Sequence, residues 1–91
     1  MLKFTTHTQK KLVTLFEELG YTVRFEKGNF QSGYCLVEQQ KIVIINKFYD
    51  IEGKINTLID ILSSIDIDSS LFSDSTTKFY TLVKQTSFSN E

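Results

Sequence analysis

The side chains best suited to binding chemistry lie between residues 24 and 49 of this 91-residue chain. The segment 27–33 has glycines at positions 28 and 33, so its backbone N–H groups could approach an anion closely. Arg24 and Lys47 would add positive charge to Lys27 nearby. The spacing is neither that of a Walker loop nor that of a dinucleotide fingerprint, because only two glycines are present and no helix follows. The alternative is a bulged connection in which Phe30 fills the edge of the core.

Basic and aromatic residues also alternate in this region, as they do in proteins that bind single-stranded nucleic acid. The run Lys47-Phe48-Tyr49 is the clearest case. A chain without tryptophan nevertheless needs its eight phenylalanines and four tyrosines to build a core, so packing or self-association is favoured over nucleic-acid contact. The candidate binding surface consists of Arg24, Lys27, Asn29, Phe30, Ser32, Tyr34, Asn46, Lys47 and Tyr49.

Catalytic and metal-binding constellations are not predicted. His7 is the single histidine, so a metal site or a histidine-based triad would need a group from another subunit. Cys35 is the single cysteine, which excludes an intrachain disulfide and is typical of a small buried side chain in a strand. The aspartates of segment 66–74 lack the spacing of a calcium loop, and we interpret this segment as a solvated linker. We therefore predict no catalytic residue, no metal and no cofactor.

Length and charge narrow the class of protein further. Ninety-one residues make one domain, predicted over 1–86 and followed by a flexible tail over 87–91. Ten basic and eleven acidic side chains give a net charge of −1, so attraction of the whole molecule to nucleic acid is not expected. The first residues lack the apolar segment of a signal peptide, and no apolar run approaches ~18–20 residues. The expectation is a cytoplasmic protein with no membrane contact.

Three helices are predicted from apolar periodicity. Apolar residues at positions 12, 15, 16 and 19 repeat at helical spacing and predict a helix over 8–19. Thr6 and Gln9 have the spacing of a capping box, and Gly20 can end the helix in the left-handed conformation. The elements predicted later in the chain are a helix capped by Asp50 with an apolar stripe from Ile51 to Leu62, and a helix over 74–85 using Phe79, Leu82 and Val83.

Three strands are predicted between the first two helices. Alternating apolar and polar residues over 21–26 indicate a strand with one wet face. A hairpin follows, with strands over 34–38 and 41–47 and a turn at 39–40. The run 42–45 is apolar on both faces, which places its strand at the centre of the sheet. The fold class is therefore α+β, a two-layer αβββα(α) domain with a three-stranded, mainly antiparallel sheet packed on helices.

The central apolar strand raises the question of what covers the second face of the sheet. The first two helices can cover one face. The other face must be covered by the third helix, by a second copy of the chain, or by solvent at a cost. We expect a homodimer on this basis, with helix three as the alternative cover.

The segment GYCLVEQQKIVIIN and the following KINTLIDIL resemble the hairpin-plus-helix core of the ImmA/IrrE-type metallopeptidases. In that family the helix reads TL-x-HE-x-x-H, and TLI at 57–59 matches its start. The zinc-binding histidine positions fall on Asp60 and Ser64, and the catalytic glutamate position falls on Ile61. Zinc hydrolysis needs two imidazoles and a carboxylate at these positions, so the resemblance implies a scaffold without the peptidase site.

The chain also resembles a family of short, functionally uncharacterised bacterial proteins. The family segments E-K-G-x-F-x-S-G-Y-C and N-K-F/Y read EKGNFQSGYC at 26–35 and NKF at 46–48 here. The resemblance covers most of the chain and implies a shared fold, with no activity to transfer. Together, these features predict a small non-catalytic protein that acts through protein–protein contact, as a homodimer or with another protein partner. The alternative is a module that binds nucleic acid or a small anionic ligand through residues 24–34 and 46–49.

Overall fold

One helix, three strands and two further helices follow one another along the residues that the computed structural model describes, which are 2–27, 36–37 and 41–87. Over these ranges the α+β class is confirmed, although the predicted turn at 39–40 and all but the first residue of the predicted tail lie outside them. The elements are α1 (Thr6–Glu18), β1 (Thr22–Glu26), β2 (Leu36–Val37), β3 (Ile42–Asn46), α2 (Ile51–Ser64) and α3 (Asp74–Ser87), with one 3-10 turn at Ser69–Leu71.

Helix α1 begins two residues earlier than the periodicity predicts. Its cap is Thr5, whose backbone is extended and whose hydroxyl oxygen accepts a hydrogen bond from the N–H of Thr8 at 3.2 Å. The predicted capping box of Thr6 and Gln9 is therefore wrong, because Thr6 already lies inside the helix. Thr5, the neighbouring threonine, caps the helix through the kind of hydroxyl hydrogen bond that was predicted for Thr6.

Gly20 ends α1 as predicted, with a φ of +93°. Its N–H donates to the carbonyl of Glu17 at 3.0 Å, and the N–H of Tyr21 donates to the carbonyl of Phe16 at 2.9 Å. These two bonds form a Schellman motif, which satisfies carbonyls that the helix end would leave unpaired. The Tyr21 and Phe16 rings meet edge to face, 6.0 Å apart, and fix the direction in which the chain enters β1.

Helix α2 begins as predicted. The Oδ1 atom of Asp50 accepts a hydrogen bond from the N–H of Gly53 at 2.7 Å. A Cβ atom at position 53 would lie 3.1 Å from that oxygen and 3.3 Å from the Cβ of Tyr49, so glycine permits the close approach of the cap.

The sheet has the order β1-β3-β2, with β3 at its centre as predicted. The longer pairing, between β1 and β3, is parallel and runs in register from Thr22 opposite Ile42 to Glu26 opposite Asn46. Strand β2 pairs antiparallel with β3 through two residues. The predicted mainly antiparallel sheet is wrong because of the order of the strands. Successive strands along the chain run in opposite directions, so β1 and β3 run in the same direction. They pair with each other because β3 lies between β1 and β2.

One face of the sheet carries the core. Val43 and Ile45 of β3 are completely buried, and Val23 and Phe25 of β1 pack against the same cluster. Helix α1 contacts β1 and α2, while α2 also contacts β3. Helix α3 packs on α1 and adds its apolar side chains to this core rather than forming a separate layer. The fully buried side chains are Leu12, Leu15, Phe16, Val43, Ile45, Ile55, Leu58, Ile61, Leu62 and Val83.

Candidate functional site

The second face of the sheet is built by the alternate residues of β1 and β3. Since successive side chains in a strand point to opposite sides, the residues between the core-facing ones line this face. We call it the open sheet face; its members in β1 and β3 are Thr22, Arg24, Glu26, Ile42, Ile44 and Asn46.

Two isoleucines give the open sheet face its apolar centre. Ile42 and Ile44 are half-buried, whereas their neighbours Val43 and Ile45 are completely buried on the other side of the strand. Within the described ranges, neither Ile42 nor Ile44 belongs to the core cluster or to the side chains packed against it. The strand is therefore apolar on both faces, but the helices shield only one of them.

A pair of opposite charges lies beside these isoleucines. The guanidinium of Arg24 meets the carboxylate of Glu26 at 2.5 Å, two residues further along the same face of β1. The side chains are 56% and 38% exposed, so solvent screens the pair and its contribution to stability is about 1 kcal/mol or less. Arg24 is therefore already neutralised by its neighbour, which weakens its predicted role as an anion ligand.

The carboxyl ends of the parallel strands bring further predicted residues together. The N–H of Lys47 donates to the carbonyl of Glu26 at 3.0 Å, so Lys47 lies beside the end of β1, where Lys27 follows. The chain then turns through Asn46, whose side-chain oxygen accepts from the N–H of Phe48 at 3.0 Å and whose carbonyl accepts from the N–H of Tyr49 at 3.2 Å.

Phe48 is the most exposed aromatic ring at this turn. It is 68% exposed, and the Nζ of Lys47 lies 5.4 Å from the centre of its ring. Tyr49 is half-buried and Lys27 is exposed. We call Lys27, Lys47, Phe48 and Tyr49 the carboxyl-end surface. It combines two cations with an accessible ring, the composition that suits an anionic or aromatic ligand.

Five of the nine predicted surface residues can thus be placed, and they lie on two adjoining parts of the sheet. Asn29, Phe30, Ser32 and Tyr34 fall outside the described residues, as does Cys35. The sequence reasoning missed Glu26 as the partner of Arg24. Opposite charges two residues apart in a predicted strand were the available signal, because such residues share a face.

The helix that resembles a metallopeptidase helix has its matching positions in very different environments. Ile61, at the position of the catalytic glutamate, is 1% exposed and belongs to the core. Asp60 and Ser64 are exposed, and the hydroxyl of Ser64 donates to the carbonyl of Ile61 at 2.8 Å. Across the described ranges, no group of three or more histidine, cysteine, aspartate or glutamate side chains is arranged to hold a metal ion.

The predicted linker 66–74 contains a short turn rather than a cation loop. Asp68 accepts hydrogen bonds from the hydroxyl of Ser70 at 2.6 Å and from its N–H at 3.1 Å. The hydrogen bond from the hydroxyl has the larger effect and the bond from the N–H the smaller one. Together they hold the pKa of Asp68 below the usual value for an aspartate. These contacts form a local turn that starts the 3-10 segment.

No family model, curated protein or solved structure matches the chain. Both family resemblances therefore stay predictions. None of the helices in the described ranges has the length and apolar composition required to cross a membrane.

Proposed function

We propose that this protein is non-catalytic and acts through protein–protein contact, forming a homodimer through its open sheet face. The observation that carries the proposal is the half-burial of Ile42 and Ile44 on the side of β3 that faces away from the core. Apolar side chains at the centre of a face that carries few charges are typical of an interface between proteins. Helix α3 does not cover the open sheet face, because it packs on α1.

The charges on the face favour a second copy of the same chain as the partner. In a twofold-symmetric contact, one copy of a surface meets another copy turned through 180°. Arg24 and Glu26 are two residues apart on one strand, so an antiparallel approach would bring Arg24 of each chain to the partner's Glu26. The contact is then self-complementary in charge around an apolar centre.

The size of the open sheet face indicates how tightly two copies of the chain should bind each other. A five-residue strand spans about 16 Å, and three strands side by side span about 10–14 Å. This footprint is small compared with the roughly 800 Å² per partner of a standard interface. We therefore expect a dimer of micromolar affinity rather than an obligate one.

Sedimentation velocity over about 5–500 µM tests the proposal directly. The wild type should shift from monomer to dimer as concentration rises, and Ile44→Glu should remain monomeric because it buries a charge in the interface. Leu71→Glu is the matched control, since Leu71 is also an exposed aliphatic residue, at 52%, but lies in the 3-10 segment. A wild type that stays monomeric, or an Ile44→Glu protein that dimerises like the wild type, would refute the proposal.

Mixing two charge variants tests the predicted pairing. Arg24→Glu leaves two acidic residues on the face and Glu26→Arg leaves two basic ones, so each variant should repel itself. An equimolar mixture should recover dimers, because each variant then meets the opposite charge. Both variants lose the pair within the chain, so recovery in the mixture would report the contact between chains. A mixture as monomeric as its components would exclude this arrangement.

A second candidate function is the binding of single-stranded nucleic acid or a small anion at the carboxyl-end surface. It is favoured by Phe48, which is exposed enough to stack on a base with Lys47 beside it. The net charge of −1 works against it, since little counterion release is expected from two lysines. Fluorescence anisotropy with a labelled oligothymidylate at low salt should show weak binding or none. Micromolar binding that Lys47→Glu abolishes would make this candidate the leading one.

A further inference from the structure

A groove runs between α1 and α3, on the helical side of the molecule. It consists of two adjoining hollows of about 260 and 170 Å³, which share His7, Lys11 and Phe79. On α1 the lining residues His7, Lys10, Lys11 and Thr14 are three, four and seven positions apart, so they form one stripe. Phe79 of α3 forms the opposing wall, and the groove follows about two turns of helix.

The groove has an apolar floor. Phe79 is buried, with 8% of its surface exposed, and belongs to the core cluster. Leu2 and Leu82 add apolar surface in the smaller hollow. The Nζ of Lys11 lies 5.6 Å from the centre of the Phe79 ring, a cation–π distance that holds this ammonium over the floor.

The rim of the groove is basic in a protein that is slightly acidic overall. Lys3, Lys10 and Lys11 line the hollows together with His7, and no acidic side chain of the described part of the chain lines either of them. The chain as a whole carries a net charge of −1, so positive charge is concentrated at the rim of the groove. A concave surface lined by one sign of charge concentrates the opposite charge.

The carboxylate of Glu18 is engaged at the end of the groove where Thr76 lies. It accepts hydrogen bonds from the N–H of Ser73 at 2.9 Å and from the hydroxyl of Thr76 at 3.0 Å. This carboxylate therefore already occupies the amino end of α3, and an incoming anion would meet the lysines instead. The same contacts fix α3 against α1, so the groove is formed before any ligand binds.

We propose that this groove binds an acidic peptide segment of another protein, with a two-residue apolar anchor between its carboxylates. The anchor would lie on the partly buried Leu82 and on the small part of Phe79 that lines the hollows, while Asp or Glu side chains on either side would meet Lys3, Lys10 and Lys11. The lining stripe from His7 to Thr14 spans about 10 Å of helix, which matches three or four residues of extended peptide.

Nucleic acid fits the groove less well. Single-strand binding relies on aromatic rings whose faces are accessible to bases, and Phe79 is buried beneath Lys11. The charge complementarity is therefore best satisfied by carboxylates attached to an apolar residue.

Fluorescence anisotropy with the labelled peptide GDDLFDDG tests the proposal. Two matched peptides act as probes of its parts: GKKLFKKG reverses the charge, and GDDSSDDG removes the apolar anchor. The acidic apolar peptide should bind most tightly, and affinity should fall as salt rises. Equal binding of the acidic and basic peptides, or no measurable binding of GDDLFDDG, would overturn the proposal. Tighter binding of an oligothymidylate than of this peptide would also overturn it.

Variants locate the binding site. Lys10→Glu combined with Lys11→Glu should weaken the peptide at least about tenfold, because two rim attractions become repulsions. Lys41→Glu is the matched control, since it reverses an exposed lysine just before β3, outside the groove and outside the carboxyl-end surface, and should leave the affinity within about twofold. Circular dichroism would verify that both proteins fold. Backbone amide shifts on peptide addition should concentrate at His7, Lys11 and Phe79; shifts confined to residues 24–27 and 46–49 would refute the assigned site.

Discussion

Removal of the Glu18 carboxylate should cost more stability than is usual for a half-buried charge at the molecular surface. Glu18 lies in the last turn of α1, yet its two oxygens accept three hydrogen bonds from the first turn of α3 and the residue before it: the N–H of Ser73 at 2.9 Å, the hydroxyl of Ser73 at 3.3 Å and the hydroxyl of Thr76 at 3.0 Å. One hydrogen bond to a charged group contributes about 1.5–3 kcal/mol, and only the bond from Thr76 is counted in full, because it is part-buried while water can replace the two exposed bonds from Ser73. An acidic residue at the carboxyl end of its own helix is unfavourable by about 0.3–1 kcal/mol, which Glu18→Ala would recover. We expect a net destabilisation of about 1–2 kcal/mol.

Glu17→Ala is the matched control for this prediction. It removes the same charge from the same helix end, but Glu17 is exposed and lies about 100° around the helix from Glu18. It should therefore be neutral or stabilising by up to about 0.5 kcal/mol. Urea unfolding followed by circular dichroism measures both free energies. A double-mutant cycle with Thr76→Ala should give a coupling of at least about 0.5 kcal/mol. Equal effects of the two glutamate variants would refute the reasoning that Glu18 holds α3 in place.

Three further predictions concern local features. The Oε1 atom of Gln9 is buried without a hydrogen-bond donor among the described residues, so Gln9→Met should raise the free energy of unfolding by about 1 kcal/mol in urea titrations; a loss of stability would contradict this. Gly53→Ala should lack the gain of about 1 kcal/mol usual for this change in a helix, because its Cβ would lie 3.1 Å from the capping oxygen of Asp50; a full gain by the same measurement would count against the close contact. Ser70→Ala should raise the pKa of Asp68 toward the usual aspartate value in an NMR titration. Because that pKa is lowered in the folded protein, its contribution to stability is present above the unfolded pKa and is lost as the pH falls through the folded one.

The helices were predictable because their signals are local. Asp50 and Gly20 act where the sequence places them, since a cap and a left-handed stop depend on residues within one turn. The error at Thr5 and Thr6 has the same origin, because two adjacent threonines carry equivalent capping groups. Only the neighbouring backbone conformation decides between them.

The sheet order depends on information that is not local. The apolar run of β3 correctly predicts a central strand, and a central third strand in a three-stranded sheet must pair with both others. With β2 antiparallel to β3, the direction of β1 relative to β3 depends on the two connections between the strands, at 27–35 and 38–41 in the sequence. Gln39-Gln40 carries no strong turn signal, and the left-handed residue before β3 is Lys41, at a φ of +51°, rather than a glycine. The parallel pairing of β1 with β3 could not be inferred from such a connection.

The candidate surfaces also combine features that the sequence predicts with features that only the structure shows. Arg24, Lys27 and Lys47 were identified by residue type, and the parallel register brings the ends of their strands together. The pairing of Arg24 with Glu26 changes its role, because the charge that marked it as an anion ligand is already compensated. The stripe of His7, Lys10 and Lys11 on α1 was visible in the sequence, but its significance depends on α3 providing an apolar wall opposite.

The two proposed surfaces lie on different sides of the sheet and do not compete. The open sheet face faces away from the helices, whereas the groove lies between α1 and α3 in the helical layer. A dimer joined through the sheet faces therefore presents two grooves, one on each outer side. A partner with two acidic segments joined by a linker long enough to span both grooves would gain affinity from effective concentration, without any new contact. Ile44→Glu should remove this gain for a tandem GDDLFDDG peptide, bringing its affinity to that of the single peptide, while leaving the single peptide unchanged. A tandem peptide that binds the Ile44→Glu monomer as tightly as the wild type would show that the two surfaces are not combined in this way.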